Sequence, residues 1–449
     1  MSKSSIINKL NRNRVNIDDQ RSFKIKEYDP LDLINHRRFD IMAKYIYGWF
    51  KKNNINSDWG RRLYEDHIWV FNQYDEDDGS GKKGIAAFYN SFDSTLKSVQ
   101  QFGFKEDESV IPISINKVPL DGAHRLTAAL LYNQKVKAVK INMDDVDYNY
   151  RFFQERGLLK KWSDAMAMEY CKLKKNTHIF ITFNFSGGIK KTFLNYGSIF
   201  YEKKIKLNRL GLQNLLGIEL FDEKWSEVLR KLFNKDEQNY YLDVFVLEQS
   251  GKKFPQLTEN LMCQMIYMSK RHEQTIKLAQ NLLNENSIHY LNTARIINNN
   301  KFKMLLSEFK KNIGTDNDNY CLVSNAVMAA YGIGCCEELS CIRFNRKPNS
   351  IKNAVLVTYD KGDDVIYNPE NHFYYDGIKF ATLNVVKAMK QKSKNLQNWR
   401  YIRAINKFNR KHPNYDVRIV VYRFKKQMTI TRIKASSIKQ RLIQLLTKR

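Results

Sequence analysis

The stretch that organises this chain runs from Val118 to Gln134 and reads VPLDGAHRLTAALLYNQ. A short extended segment ends at Asp121-Gly122, where glycine takes backbone conformations that a Cβ resists. A helix pattern follows at once. Leu126, Ala129 and Leu130 share an apolar face, and the small Ala128 and Ala129 allow close approach to a sheet. The first amides of such a helix have no intrahelical acceptor, and its N-terminus carries about half a positive charge. An anion is stabilised there, and His124 and Arg125 add side-chain donors at the same end. Two readings stand: a phosphate socket built from Gly122, Ala123, His124 and Arg125, or an ordinary helix whose first turn is polar.

The flanking sequence supplies the rest of a small α/β unit. SFDSTLKSVQQFGF carries Leu96, Val99 and Phe102 on one stripe, with Ser91 or Asp93 as cap and Gly103 as stop. VIPISI before the turn and KVKAVKINM after the helix read as strands. Upstream, DLINHRRFDIMAKYIYGWFKK returns Ile34, Phe39, Met42, Ile46 and Phe50 at helical intervals, and RRLYEDHIWVFNQY predicts a second helix. DEDDGSGKKG, Asp75 to Gly84, is too charged and glycine-rich for regular structure. Downstream, THIFITFNFSGG predicts a strand broken at Gly187-Gly188, YYLDVFVLE and AVLVTYD predict two more, and HEQTIKLAQNLLNENS (His272 to Ser287) predicts one amphipathic helix. LVSNAVMAAYGIG is apolar up to its glycines, and LNVVKAMKQK is a short helix leading into a basic tail. The expected fold class is α/β (α+β) and multidomain: an N-terminal unit over 25–165, a middle α/β domain over 175–300, a third over 301–395 and the tail over 396–449.

Composition bounds the function classes. The 449 residues are 43% hydrophobic and 27% charged, which is globular. No apolar run approaches the roughly 20 residues that cross a bilayer, and the polar start MSKSSIINKLNRNRVNIDDQ lacks a secretory h-region. The expected location is therefore the cytoplasm. Six cysteines without paired C-x-x-C spacing suit buried thiols in a reducing compartment better than zinc. The net charge of +28 predicts attraction to polyanions. It is uneven: Val385 to Arg449 holds 19 Lys/Arg against Asp416 alone, and so 18 of the 28 net charges.

The pieces LKSVQQFGF, VIPISI and DGAHRLTAA, in that order, resemble the ParB/sulfiredoxin-like fold, and the resemblance covers Ser91 to Met143. In that superfamily the equivalent G-x-x-R turn contacts nucleotide phosphates, which implies that role for Gly122, His124 and Arg125. Sulfiredoxins carry a catalytic cysteine directly before the His-Arg pair. Ala123 stands there in this chain, so sulfinic acid reduction is not expected. Chromosome-partition ParB proteins show Glu-Arg-Arg or Asn-Arg-Arg where this chain reads Ala-His-Arg, and they add a helix-turn-helix that Glu155 to Asn234 does not offer. The branch that remains transfers phosphoryl groups to small molecules, with free-serine kinases as its model. The resemblance thus implies ATP or another nucleotide, with Mg²⁺.

Phosphoryl transfer uses a divalent ion and a carboxylate that orients or deprotonates the acceptor hydroxyl. The acidic loop offers Asp75, Glu76, Asp77 and Asp78 beside Lys82 and Lys83, and a solvated charged loop is the competing reading. Asp75 and Asp78 are the candidate metal ligands, and Asp121, His124 and Glu76 the candidate catalytic set. Arg37, Arg38, Asp40, Glu65 and His67 have suitable chemistry, but sequence does not give their distance from the socket.

In the third segment, SNAVMAAYGIGCCEELSCIRF through YNPENHFYYDGIKF resembles nucleotidyltransferase-like domains found beside surface-polysaccharide enzymes. Such domains need a Gly-Ser turn followed by two acids one residue apart, so that both carboxylates hold metal. Ser324-Asn325 and Glu338-Leu339-Ser340 stand in those places, which implies an inactive copy. An unrelated α/β domain is the alternative. The tail alternates basic with apolar and aromatic residues, a chemistry that suits an anionic membrane surface or nucleic acid. The expected function is a nucleotide-dependent phosphotransferase, kinase-like, acting on a small hydroxylated molecule or saccharide in surface-polysaccharide biosynthesis, with the tail holding it at the inner membrane face. A ParB-like DNA-binding protein and a non-catalytic assembly subunit are the competing expectations.

Overall fold

Four helices and a three-stranded sheet build the first part of the molecule. In the computed structural model, the described residues are 6–7, 9–11, 13–16, 23–76, 79, 81–105, 109–183, 193–217, 238–250, 266–295, 300–344, 354–392, 397–413, 421–422 and 426–431. The helices are α1 (Asp40–Lys52), α2 (Trp59–Asn72), α3 (Ile85–Phe102) and α4 (Ala123–Leu131). Their apolar faces meet in one core of Tyr47, Tyr64, Ile68, Phe88, Phe92, Leu96, Val99, Ala128 and Leu131. Gly48 makes the α1–α4 contact close: a Cβ there would lie 2.4 Å from Leu131 Cδ1. Strands β1 (Ile25–Tyr28), β2 (Ile111–Ile113) and β3 (Val136–Lys140) form a sheet in the order β1-β3-β2. β1 runs antiparallel to β3, with Ile25 opposite Val139, and β2 runs parallel to it, with Ile111 opposite Ala138. The unit β2–α4–β3 is therefore a crossover between parallel strands. Its loop, residues 114–122, leaves the carboxyl end of β2, the edge where open α/β sheets bind ligands.

The polar N-terminal lead is not idle. Ile6, Leu10 and Val15 are buried with Val110, Leu120, Val139 and Ile141. This brings Lys9 and Arg14 to the same cavity as the start of α4.

After α5 (Tyr150–Glu155) and α6 (Lys160–Leu173), the chain builds an antiparallel sheet in the order β5-β6-β4-β7 from β4 (Thr177–Phe183), β5 (Gly197–Asn208), β6 (Asn239–Gln249) and β7 (Ile266–Met268). It is accompanied by α7 (Arg209–Leu216), α8 (His272–Leu282) and α9 (Glu285–Thr293). The expected single helix from His272 to Ser287 is two, because the Asn284 side chain accepts from the Ser287 amide and starts α9. Beyond α10 (Asn300–Ile313) lies a mixed sheet in the order β10-β9-β8-β12-β11: β8 (Tyr320–Val323), β9 (Leu339–Arg343), β10 (Ala354–Leu356), β11 (His372–Tyr375) and β12 (Ile378–Ala381). Its helices are α11 (Asn325–Ala330), α12 (Gly362–Tyr367) and α13 (Leu383–Lys392). The fold class is thus α/β (α+β), and each of the three expected segments carries one sheet.

By its contacts the chain divides into Met1–Ile402 and Arg403–Arg449. All three sheets lie in the first unit. In the second, Phe408, near the end of α14 (Gln397–Lys411), and His412 lie at 4.8 Å between ring centroids. Most of the basic tail lies outside the described residues, as do Gly187-Gly188 and Cys263. Among the described residues, no helix is long and apolar enough to cross a membrane.

Candidate functional site

The helix tip that the sequence singles out opens onto a cavity of about 490 Å³. Gly122 caps α4 at φ +81°, the left-handed region, and a Cβ there would lie 2.7 Å from Ile111 Cδ1 and 3.0 Å from Arg125 Nη2. No side chain caps this end, so the first-turn amides are free of helix partners on residues that line the cavity. Asp121, Gly122, Ala123, His124 and Arg125 all line it, and so does Glu76.

Each side chain is held by its neighbours. Arg125 pairs with Asp121 at 3.3 Å across the first turn. The His124 ring stacks on Phe92, and its Nε2 shares a hydrogen bond of 2.9 Å with the Tyr64 hydroxyl. Burial, helped by Lys44 and Lys82, pushes the His124 pKa well below the usual imidazole range, so the ring is neutral at pH 7. Its task is then hydrogen bonding rather than a fixed positive charge. Glu76 is bound by Arg14 and by Lys82, the latter at 3.2 Å.

At the cavity floor lies a charge network that sequence could only partly suggest. Arg38 embraces Asp40 with two bonds of 2.8 and 2.9 Å and donates a further bond to the Pro119 carbonyl. Lys44, one helical turn after Asp40, reaches the same carboxylate at 2.9 Å. Burial opposes its charge, but Arg38 and Lys44 hold the Asp40 carboxyl far below the usual carboxylate range. Arg38 thereby ties the start of α1 to the loop that leads into α4. In all, six basic residues (Lys9, Arg14, Arg38, Lys44, Lys82 and Arg125) and three acids (Asp40, Glu76 and Asp121) line the cavity. The surplus of cations at an uncapped helix tip suits a ligand with several negative charges. Phe71 and Tyr148, edge to face at 5.0 Å, supply an aromatic border.

The other sequence candidates lie elsewhere. Asp75 is exposed, pairs with Lys83 at 3.4 Å and does not line the cavity, while Asp77 and Asp78 lie outside the described residues. Arg37 faces Asp145 at 3.5 Å, and Glu65 is taken by Arg61 and Tyr89 at 2.7 and 2.6 Å. His67 is buried behind the floor, and neither of its ring nitrogens has a partner among the described residues. Ser91 and Asp93 do not cap α3, which starts at Ile85. Asp93 sits inside it, accepting from Tyr47 at 2.8 Å and Lys51 at 2.9 Å. Glu338 is exposed just before β9, and Ser324 and Asn325 lie near the Lys390 amine at 3.5 and 3.4 Å.

The residues that sequence reading passed over are Lys9, Arg14, Lys44 and Tyr148. Lys44 did leave a signal, being a lysine inside an apolar helical run four residues after an aspartate. No family model, no curated protein and no solved structure matches the chain.

Proposed function

We propose that the 490 Å³ cavity binds the phosphates of ATP or another nucleotide, and that the protein is a phosphotransferase acting on a small hydroxylated molecule or saccharide. The observation that carries this reading is the convergence of six cationic side chains and the bare first turn of α4 on a single cavity. In this reading Gly122 and Ala123 let phosphate oxygens approach backbone amides, and Arg125 presents its planar fork beside them. Charge-assisted hydrogen bonds contribute roughly 1.5–3 kcal/mol each, so three to five of them reach the ~8 kcal/mol of micromolar affinity. Lys44 and Arg38, fixed by Asp40, are cations that need no rearrangement when charge develops on a transferring group. Asp121, partly exposed and adjoining the helix tip, is placed to orient the acceptor hydroxyl. Neutral His124 contributes a hydrogen bond at the same tip.

Mg²⁺, when bound, would neutralise phosphate charge. Among the described residues no group of three or more His, Cys, Asp or Glu is arranged to hold an ion. Asp121 and Glu76, the partly accessible cavity carboxylates, would therefore supply one or two ligands and the phosphates the others, the usual arrangement for this ion.

Calorimetric titration of the full chain with ATP, ADP and CTP, with and without Mg²⁺, tests the reading. Arg125→Ala is expected to abolish nucleotide binding while the melting temperature stays within a few degrees. Unchanged affinity in that variant, or no binding by the parent protein, overturns it.

A further inference from the structure

A second cavity, of about 220 Å³, lies on the far side of α1. Lys44 lines the first cavity and its neighbour Tyr45 lines the second, so the helix is the wall between them. The other walls come from α6, α12 and the strands β11 and β12 of the C-terminal sheet. At this size it lies below the ~300–1,000 Å³ typical of pockets for drug-sized ligands. It has room for a single or fused ring.

Its sides are aromatic: Tyr45, Trp49, Phe50, Trp59, Tyr367 and Tyr374 all contribute. Trp49 and Tyr367 stand edge to face at 5.3 Å, a corner against which a flat ring can stack. One end is polar but balanced in charge. Lys172 donates to Glu169 at 2.9 Å and faces Asp318 at 3.4 Å, and Lys379 faces the same Asp318 at 3.3 Å. Two cations and two carboxylates cancel, so the cavity offers no surplus charge to an ion. This is the opposite of the first cavity.

Two buried side-chain atoms of lining residues have no partner among the described residues, the donor Trp59 Nε1 and His372 Nε2, and the second sets the donor that the ligand must bring. His372 lines the cavity, is 1% exposed, and its Nδ1–H donates to the Val365 carbonyl at 2.9 Å. Burial and the nearby Lys379 push its pKa down to about 3, so the ring is neutral. With the proton on Nδ1, Nε2 carries a lone pair. That nitrogen is sealed from solvent and has no partner among the described residues. Buried acceptors are rarely left unserved.

We infer that the cavity is a binding site for a small, uncharged aromatic molecule bearing a ring N–H or O–H, its ring against the aromatic walls and its donor directed to His372 Nε2. The inference does not depend on the nucleotide reading of the first cavity, and it makes the two sites complementary in ligand charge.

Saturation-transfer NMR and thermal shift on the full chain test it, with indole and phenol as probes and 1-methylindole and anisole as controls that lack the donor. At least one probe is expected to bind and raise the melting temperature, with its donor-blocked partner about tenfold weaker, as the loss of one buried hydrogen bond requires. His372→Phe should erase that tenfold preference, and Met168→Trp, which fills the cavity, should abolish binding. The inference is overturned if no probe binds, if blocking the donor changes nothing, or if Met168→Trp binds as the parent does. The comparison of probe with control is made on the parent protein and decides the matter even if a variant does not fold.

Discussion

Phe92 lies flat against His124, ring centroids 4.4 Å apart and planes 11° from parallel. On its edge the same imidazole meets the Tyr64 hydroxyl, which burial keeps protonated by raising its pKa well above the usual phenol value. The stack fixes the ring's plane and the hydrogen bond fixes its rotation about that plane. The two contributions separate by substitution. His124→Phe keeps a ring on Phe92 but leaves the Tyr64 hydroxyl unserved, at a cost of about 1–2 kcal/mol. His124→Ala loses both, and the hole raises the cost to roughly 3 kcal/mol. Urea denaturation ranks the pair, and equal losses would mean the stack contributes nothing.

Gly122→Ala tests the helix tip. The substitution puts a side chain at φ +81° and within 2.7 Å of Ile111 Cδ1, so either the Ile111 side chain or the turn must move. A stability loss of about 1–2 kcal/mol is expected from the backbone strain alone. Because the new Cβ also meets Arg125 Nη2 at 3.0 Å, the guanidinium is displaced. ADP affinity measured by calorimetry should fall by about tenfold or more, the equivalent of one weakened charge-assisted contact. A variant with a lower melting temperature but unchanged affinity would separate Gly122 from the ligand.

Local chemistry announced the centre of this site, and tertiary packing supplied the rest. Asp121 to Arg125 were legible because a left-handed glycine before an alternation of small and apolar residues marks a helix start whatever surrounds it. Gly103 likewise marked the end of α3, at φ +70°. The beginning of α3 was not legible, because Ser91 and Asp93 resemble caps but occupy its polar face, where Asp93 meets Tyr47 and Lys51. Lys9 and Arg14 sit in a lead whose composition reads as loop. They reach the cavity only because Ile6, Leu10 and Val15 are buried with Val110, Leu120, Val139 and Ile141, a contact between segments a hundred residues apart. β5 was missed for a similar reason. Its residues alternate buried and accessible, but charged Glu202, Lys203, Lys204 and Lys206 disguise the period, and Lys203 is buried only because Asp164 meets it.

That Lys203–Asp164 pair carries the next prediction. The two approach to 2.8 Å with side chains 0% and 3% exposed, and the Tyr201 hydroxyl donates to the other carboxylate oxygen at 2.8 Å. Asp164→Asn leaves a buried ammonium with only Glu285, at 3.0 Å and half exposed, as its counter-charge. The expected cost is about 3–5 kcal/mol. Replacing both partners, Asp164→Leu with Lys203→Met, should cost less than Asp164→Asn alone, because no desolvated charge remains. Chemical denaturation of the single and double variants measures the difference. A double variant less stable than Asp164→Asn would show that the pair is favourable in its own right.

His67 predicts how the fold responds to acid. Its ring lies between Phe71 and Phe153, at 6.2 and 5.0 Å, fully buried. Burial first, then Lys44 and Arg38, push its pKa well below 6.5, and Asp40 only partly opposes them. Below pH 6.5 the unfolded chain therefore takes up a proton that the folded chain refuses. Stability is complete above that pH and falls as pH drops, by about 1.4 kcal/mol per pH unit for such a group. His124 and His372 have lowered values too, so the three together give roughly 4 kcal/mol per unit between pH 6 and 5. His67→Phe keeps a ring between the two phenylalanines and removes two buried nitrogens that have no partner among the described residues. It should leave stability at pH 7.5 unchanged or higher by about 1 kcal/mol, and flatten the acid slope by about 1.4 kcal/mol per pH unit. Melting temperatures from pH 7.5 to 5 measure both effects. A variant that keeps the full acid slope would show that His67 is not among the groups that resist protonation in the folded state.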